Sequence, residues 1–135
     1  MKLSPAAEFA IRGMVALSER YGQGVPVSLE TVCTQRSLPR EYLTKIFASL
    51  ARARLVTPIR GKGGGFSLSR PPSQISLLEV IEAVQGPIVL NFCQHNPPQC
   101  DQVNCLIRDL WSELQKLIRE KLAGMSLAGC NGRNT

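Results

Sequence analysis

Leu29-Glu30-Thr31-Val32-Cys33-Thr34-Gln35-Arg36, then Ser37-Leu38, then Pro39-Arg40-Glu41-Tyr42-Leu43-Thr44-Lys45-Ile46-Phe47-Ala48-Ser49-Leu50-Ala51-Arg52-Ala53 is the stretch whose reading decides the fold. Ser28 is a side-chain cap for a short helix from Leu29 to about Arg36. Ser37-Leu38 makes a turn, and Pro39 opens a second helix running to about Ala53. In that helix Leu43, Ile46, Phe47 and Leu50 recur at i, i+3, i+4 and i+7, one apolar stripe. The other face carries Arg40, Glu41, Thr44, Lys45 and Arg52. Two short helices, a tight turn and a polar N-terminal end on the second helix predict a helix-turn-helix.

Downstream, Leu55-Val56-Thr57-Pro58-Ile59-Arg60 reads as a strand, and Phe66-Ser67-Leu68-Ser69 alternates apolar and polar. Gly61-Lys62-Gly63-Gly64-Gly65 between them makes a β-hairpin, placed where a winged helix carries its wing. This glycine run fits neither phosphate-loop pattern, and no helix follows to supply the N–H groups such a loop needs. Upstream, Ser4-Pro5 starts a helix over about residues 5–20, with Phe9, Ala10, Met14 and Leu17 at helical spacing. Ser76 with Glu79 is a capping box opening a helix to about Val84, stopped by Gln85-Gly86-Pro87.

Residues 87–104 show no periodicity, and a structureless segment that long in a small domain needs something to organise it. Three of the five cysteines sit there or at its end, as Cys93-x6-Cys100-x4-Cys105. Three thiolates need a fourth donor to complete a zinc site or a four-ligand cluster. The candidates are His95, Asp101, Glu8 from another part of a dimer, or an external ligand. Residue types alone fit iron–sulfur and zinc, though the irregular spacing and lack of a C-x2-C pair suit a zinc knuckle less well. Cys33 reads as a small core residue and Cys130 as an exposed thiol. From Leu106 to Ala123 a long amphipathic helix returns, with Leu106, Leu110, Leu114, Leu117 and Ile118 along one side.

The expected fold is therefore mainly α with a small β-hairpin. A winged helix-turn-helix domain (1–86) precedes a cysteine-bearing cluster-binding loop (87–105), a dimerisation helix (106–124) and a flexible tail (125–135). Charge agrees with this division. Residues 1–70 hold 11 of the 16 Lys/Arg and 4 of the 10 acids, a net of +7, whereas 71–135 come to −1. A basic first half suits a polyanion partner. The absence of a long apolar run or signal-like start predicts a cytoplasmic chain without membrane contact. One histidine and no paired-carboxylate constellation argue against an enzyme.

Base edges in such domains are read from the N-terminal end of the recognition helix. The candidates are Arg40, Glu41, Tyr42, Thr44 and Lys45, with Arg60 and Lys62 at the wing and Ser28 facing a phosphate. Tyr42 has a plainer reading, packing against the hairpin.

At this point the pattern resembles the iron–sulfur-dependent winged-helix repressors of the IscR and NsrR type. It does so through Lys2-Leu3-Ser4, Pro39 to Phe47, Arg60-Gly61-Lys62-Gly63-Gly64-Gly65-Phe66 and Leu78-Glu79-Val80-Ile81 with Glu82-Ala83-Val84. The three cysteines, and Cys105-Leu106 with Leu110-Trp111, extend the resemblance over roughly residues 1–123. It implies a homodimer whose long helices cross, bound to double-stranded DNA. It also implies a 2Fe–2S or 4Fe–4S cluster on Cys93, Cys100 and Cys105 that senses iron–sulfur status, nitric oxide or oxidants, with iron–sulfur assembly proteins as further partners. Glu41, Tyr42, Thr44, Lys45 and Arg60 match the DNA-contacting positions of that group. The IscR type has a histidine ligand where this chain has Arg108, whereas the NsrR type uses an acid early in the first helix of the other subunit, matched by Glu8. The cysteine spacing of six and four also differs from five and five. The alternatives are structural zinc, or thiol-based redox sensing without a cluster, on the same winged helix.

Overall fold

A computed structural model describes residues 2–90, 94 and 106–130. Helix α1 (Pro5–Glu19) begins as its sequence dictates: Ser4 caps it by accepting from the Ala7 N–H at 3.1 Å, with Pro5 at the first helical position. The Ser4 N–H in turn donates to the Gln85 side chain, so the start of the chain is tied to the end of a distant helix. Helices α2 (Leu29–Arg36) and α3 (Arg40–Arg52) are joined through Ser37 in the left-handed region (φ 54°). Strands β1 (Val56–Ile59) and β2 (Gly65–Leu68) pair antiparallel, Val56 opposite Leu68 and Ile59 opposite Gly65. β1 is shorter than the expected Leu55–Arg60 run, and β2 keeps the expected length of four residues but begins one position earlier, at Gly65. Pro58 sits in β1, the edge strand, where its missing N–H costs no ladder bond to a further neighbour.

The other edge of β2 is not free. Val27 and Phe66 exchange two backbone hydrogen bonds of 2.8 Å, fastening the wing to the residue that leads into α2. That contact demands glycine at position 65, where a Cβ would lie 2.3 Å from the Val27 carbonyl oxygen. After a 3-10 turn (Pro72–Gln74), helix α4 (Leu77–Gln85) starts with the capping box complete: Ser76 accepts from the Glu79 N–H, and Glu79 accepts from the Ser76 N–H.

The apolar stripe of α3 is wholly buried. Leu43, Ile46, Phe47 and Leu50 pack with Met14 and Leu17 of α1, Leu55 and Val56 of the wing base, and Val80 of α4. A second, smaller cluster joins Ala7, Ile81 and Ile88 to Ile118 and Leu122 of α5 (Leu106–Ala123). The residues expected on one side of α5 therefore divide between two faces. Ile118 and Leu122 dock on the body, while Leu106, Ile107, Leu110, Leu114 and Leu117 point outward. At roughly 100° per residue, these two sets lie about a quarter to a third of a turn apart, which a single-stripe reading of leucines overlooks.

The expected flexible tail (125–135) also needs correction, for the residues described. Gly124 ends α5, and the chain turns back as a 3-10 turn (Leu127–Cys130). The Leu77 N–H donates to the Met125 carbonyl, the Leu127 N–H donates to the Ile75 carbonyl (2.9 Å each), and Leu127 is fully buried in the main core. Apolar burial and two backbone bonds outweigh the Gly-rich composition that suggested fraying. Cys130 is accordingly half-buried rather than exposed, its thiol donating to the Ser126 carbonyl, and burial pushes that thiol up from its ordinary value.

Candidate nucleic-acid interface

With one face of α3 consumed by the core, its other face is left to solvent. Glu41, Tyr42, Thr44 and Lys45 are exposed and line one shallow concavity. The structure therefore brings four of the five residues read from the recognition helix onto a single surface. Thr44 donates to the Arg40 carbonyl at 3.0 Å, leaving its oxygen able to accept. The Tyr42 ring stands edge-on to Phe9 of α1 with centroids 5.2 Å apart, and the Arg12 guanidinium lies 6.0 Å above Phe9. Tyr42 thus packs against α1 rather than the hairpin, because α1 crosses beneath the N-terminal half of α3.

Arg40 is the first residue of α3 and forms an ion pair with Glu30 in the first turn of α2. Ser28 does cap α2: its hydroxyl accepts from the Thr31 N–H at 3.1 Å and shares a hydrogen bond of 2.8 Å with the Thr31 hydroxyl. Its side chain is thus committed to the helix start rather than free for a ligand. At the wing, Arg60 and Lys62 are exposed, and neither forms an ion pair with a described residue. Gly61 (φ +100°) begins the tight turn closed by the Gly64 N–H to the Gly61 carbonyl at 3.0 Å, which places Lys62 at its tip. Two basic groups on a protruding hairpin beside an exposed polar helix face suit a duplex, with phosphates at the rim and base edges at the centre.

Cys93, Cys100, Cys105 and His95 lie outside the described residues. Among the described residues no group of three or more His, Cys, Asp or Glu gathers in metal-binding fashion. Glu8 is exposed in the first turn of α1, a favourable place for an acid, and has no ion pair with a described residue. The ends of the cysteine-bearing segment are anchored, however. The Leu90 N–H donates to the Gln115 side chain at 2.9 Å, Ser112 donates to Gln94 at 3.0 Å, and the Ile88 N–H donates to Glu82 at 2.9 Å. Glu82 also pairs with Arg119. The segment therefore departs beside Gln115 and re-enters at Leu106, nine helical residues or roughly 14 Å apart along α5.

Glu30, Arg12, Gln115 and Arg119 were not among the candidate site residues read from the sequence, and Phe9 was read only as part of the apolar face of α1. Glu30, Gln115 and Arg119 act across gaps of many positions, as in the ten-residue separation of Glu30 and Arg40, which no single-helix spacing signals. Arg12 lies three residues from Phe9 in α1, a spacing the helix alone could have shown.

A helix-turn-helix with an intact wing and a basic, exposed reading face is a winged-helix DNA-binding unit. The family model described as Rrf2, iron-dependent transcriptional regulator, matches residues 3–130, so the chain belongs to the Rrf2 family of transcription regulators. It is a DNA-binding regulator, not an enzyme. It is 36% identical over 99% of its length, and 81% of the relative's, to a putative HTH-type transcriptional regulator, ORF2, of Azotobacter vinelandii. To the HTH-type transcriptional regulator IscR of Aliivibrio salmonicida it is 32% identical, covering 94% of this chain and 75% of that one. Among solved structures it is similar to CymR, the global cysteine regulator of B. subtilis, with a TM-score of 0.84 and 25% identity over 97% of this chain and 96% of that one. No described helix is long and apolar enough to cross a membrane.

Proposed function

We propose that this chain is a homodimeric, sequence-specific repressor whose DNA affinity is set by an iron–sulfur cluster. The observation that carries the dimer is the outward face of α5. Leu106 is 90% exposed, Leu117 57% and Leu110 49%, on a helix whose other apolar face is already docked. Leucines at that spacing are a two-helix seam, and a second copy crossing at α5 buries them. Arg40, Glu41, Tyr42, Thr44 and Lys45 read bases in the major groove, while Arg60 and Lys62 hold phosphate or minor groove. Ser28 acts by fixing the α2 N-terminus toward a phosphate.

Cys93, Cys100 and Cys105 would hold the cluster, two or four irons, with Glu8 of the partner subunit as fourth donor and His95 as the other candidate. Three thiolates and a hard oxygen donor fit such a group by chemistry, and iron–sulfur assembly proteins would deliver it. When bound it supplies iron that reacts with nitric oxide and oxidants. The chain's own part is transmission. Gln115 and Ser112 tie the cysteine segment to α5, and Arg119, Ile118 and Leu122 tie α5 to α4. A change in that segment thereby alters the spacing of the two recognition helices, which must meet major grooves roughly 34 Å apart.

The test is anaerobic purification with iron, sulfide and zinc assays, then operator binding by the loaded and stripped forms at one salt concentration. Iron with sulfide, and affinities differing by about 5- to 150-fold, support the reading. Equal affinities refute the coupling. The likeness to a cysteine regulator favours a second reading, in which the same winged helix carries zinc or bare thiols as the sensor. Zinc alone, or no metal after reconstitution, selects it.

A further inference from the structure

We propose that Glu30 is a positioning residue for DNA reading: it tethers the Arg40 guanidinium at the start of the recognition helix and so sharpens base preference where Arg40 touches DNA. The inference rests on the reading of Arg40 as a base contact. Arg40 occupies the first position of α3, where no side chain caps the helix and the positive end of the dipole repels a guanidinium. No described side chain of α3 therefore fixes that group. Glu30 does so from the first turn of α2, where a carboxylate is favoured, and its pair with Arg40 bridges the turn of the helix-turn-helix.

The exposure of the pair shows what it is for. The Arg40 and Glu30 side chains are 60% and 66% exposed, so the bridge adds little to folding stability. An acid beside a polyanion also weakens binding to every duplex alike. The remaining effect is on the freedom of Arg40. An untethered arginine samples many rotamers and pairs with whatever phosphate is near, whereas a tethered one presents its planar fork in one place and loses less entropy on meeting a guanine edge. Glu30 thus trades general affinity for discrimination.

The experiment uses the full chain and duplexes selected from a random-sequence pool by the wild type, Glu30→Gln, Glu30→Asp and Arg40→Ala. Binding to a selected and a scrambled duplex is then measured across salt concentrations. Glu30→Gln is expected to bind scrambled duplex about 2- to 5-fold tighter with a salt slope steeper by about one phosphate. Its preference at one base position should fall about 3- to 10-fold. That position must be the one that Arg40→Ala relaxes, and Glu30→Asp should recover part of the preference. A fold defect would lower binding to both duplexes and leave the relative base preferences in place. An unchanged preference in Glu30→Gln, or a loss at a different position from Arg40→Ala, overturns the proposal while sparing the regulator reading. A wild type that selects no sequence overturns both.

Discussion

Leu127→Ala tests whether the segment after the last long helix belongs to the folded core. Leu127 is fully buried among the residues that pack around Phe47, Ile75 and Val80. The substitution removes about three buried carbons, at ~0.8 kcal/mol each roughly 2.4 kcal/mol of lost burial. An incompletely collapsed cavity adds to that, giving an expected loss of about 2.5–4 kcal/mol. For a chain of 135 residues this corresponds to a fall in Tm of roughly 10 °C. Urea unfolding followed by circular dichroism measures it, at one fixed protein concentration, because a dimer's stability depends on concentration. Met125→Ala is the control: that side chain is 45% exposed, and its loss should cost under about 1 kcal/mol. If Leu127→Ala is no more damaging than Met125→Ala, the return of residues 125–130 onto the core is refuted.

Three further outcomes follow from the geometry. Gly65→Ala forces a Cβ against the Val27 carbonyl and breaks the two bonds between Val27 and Phe66, so it should cost about 2 kcal/mol and weaken DNA binding even where the chain stays folded, measured by urea titration and by fluorescence anisotropy with labelled duplex. Burial of Glu79 favours its neutral form, but the Ser76 backbone hydrogen bond and the hydrogen bond and charge of Arg70 outweigh it, leaving the carboxyl below its ordinary value of 4.5. A depressed folded value stabilises above the unfolded one and is lost as pH falls through the folded one. The stability gap between wild type and Glu79→Gln should therefore be full at neutral pH and narrow below about 4.5 in acid-unfolding curves. Leu110→Glu on the outward face of α5 should convert the proposed dimer to monomer in sedimentation velocity with little change in monomer helicity; a wild type that is monomeric, or a variant that stays dimeric, removes α5 as an interface.

The candidate DNA face was legible in the residues because it is local. The polar positions left over from the Leu43–Ile46–Phe47–Leu50 stripe are the exposed ones, and helical period alone assigns them. The wing was legible for a similar reason, since a glycine run between two β-forming segments has few other conformations. The environment of that face was not legible. Tyr42 on Phe9 and Arg40 on Glu30 join separate helices whose crossing is set by packing. The cysteine triad was equally plain as a pattern, yet a fourth donor depends on which element, or which subunit, arrives beside it.

Sequence by itself determined the order and approximate limits of the helices, their caps at Ser4, Ser28 and Ser76, the wing, the exposed polar face of α3 and the three clustered thiols. These are properties of neighbours in the chain, governed by period and capping. Tertiary structure decided which face of α5 is consumed and which is left exposed. It also decided that residues after α5 return to complete the core, and that an acid on α2 pairs with an arginine on α3. Each of these depends on contacts between residues far apart in sequence, whose geometry arises only when the helices pack.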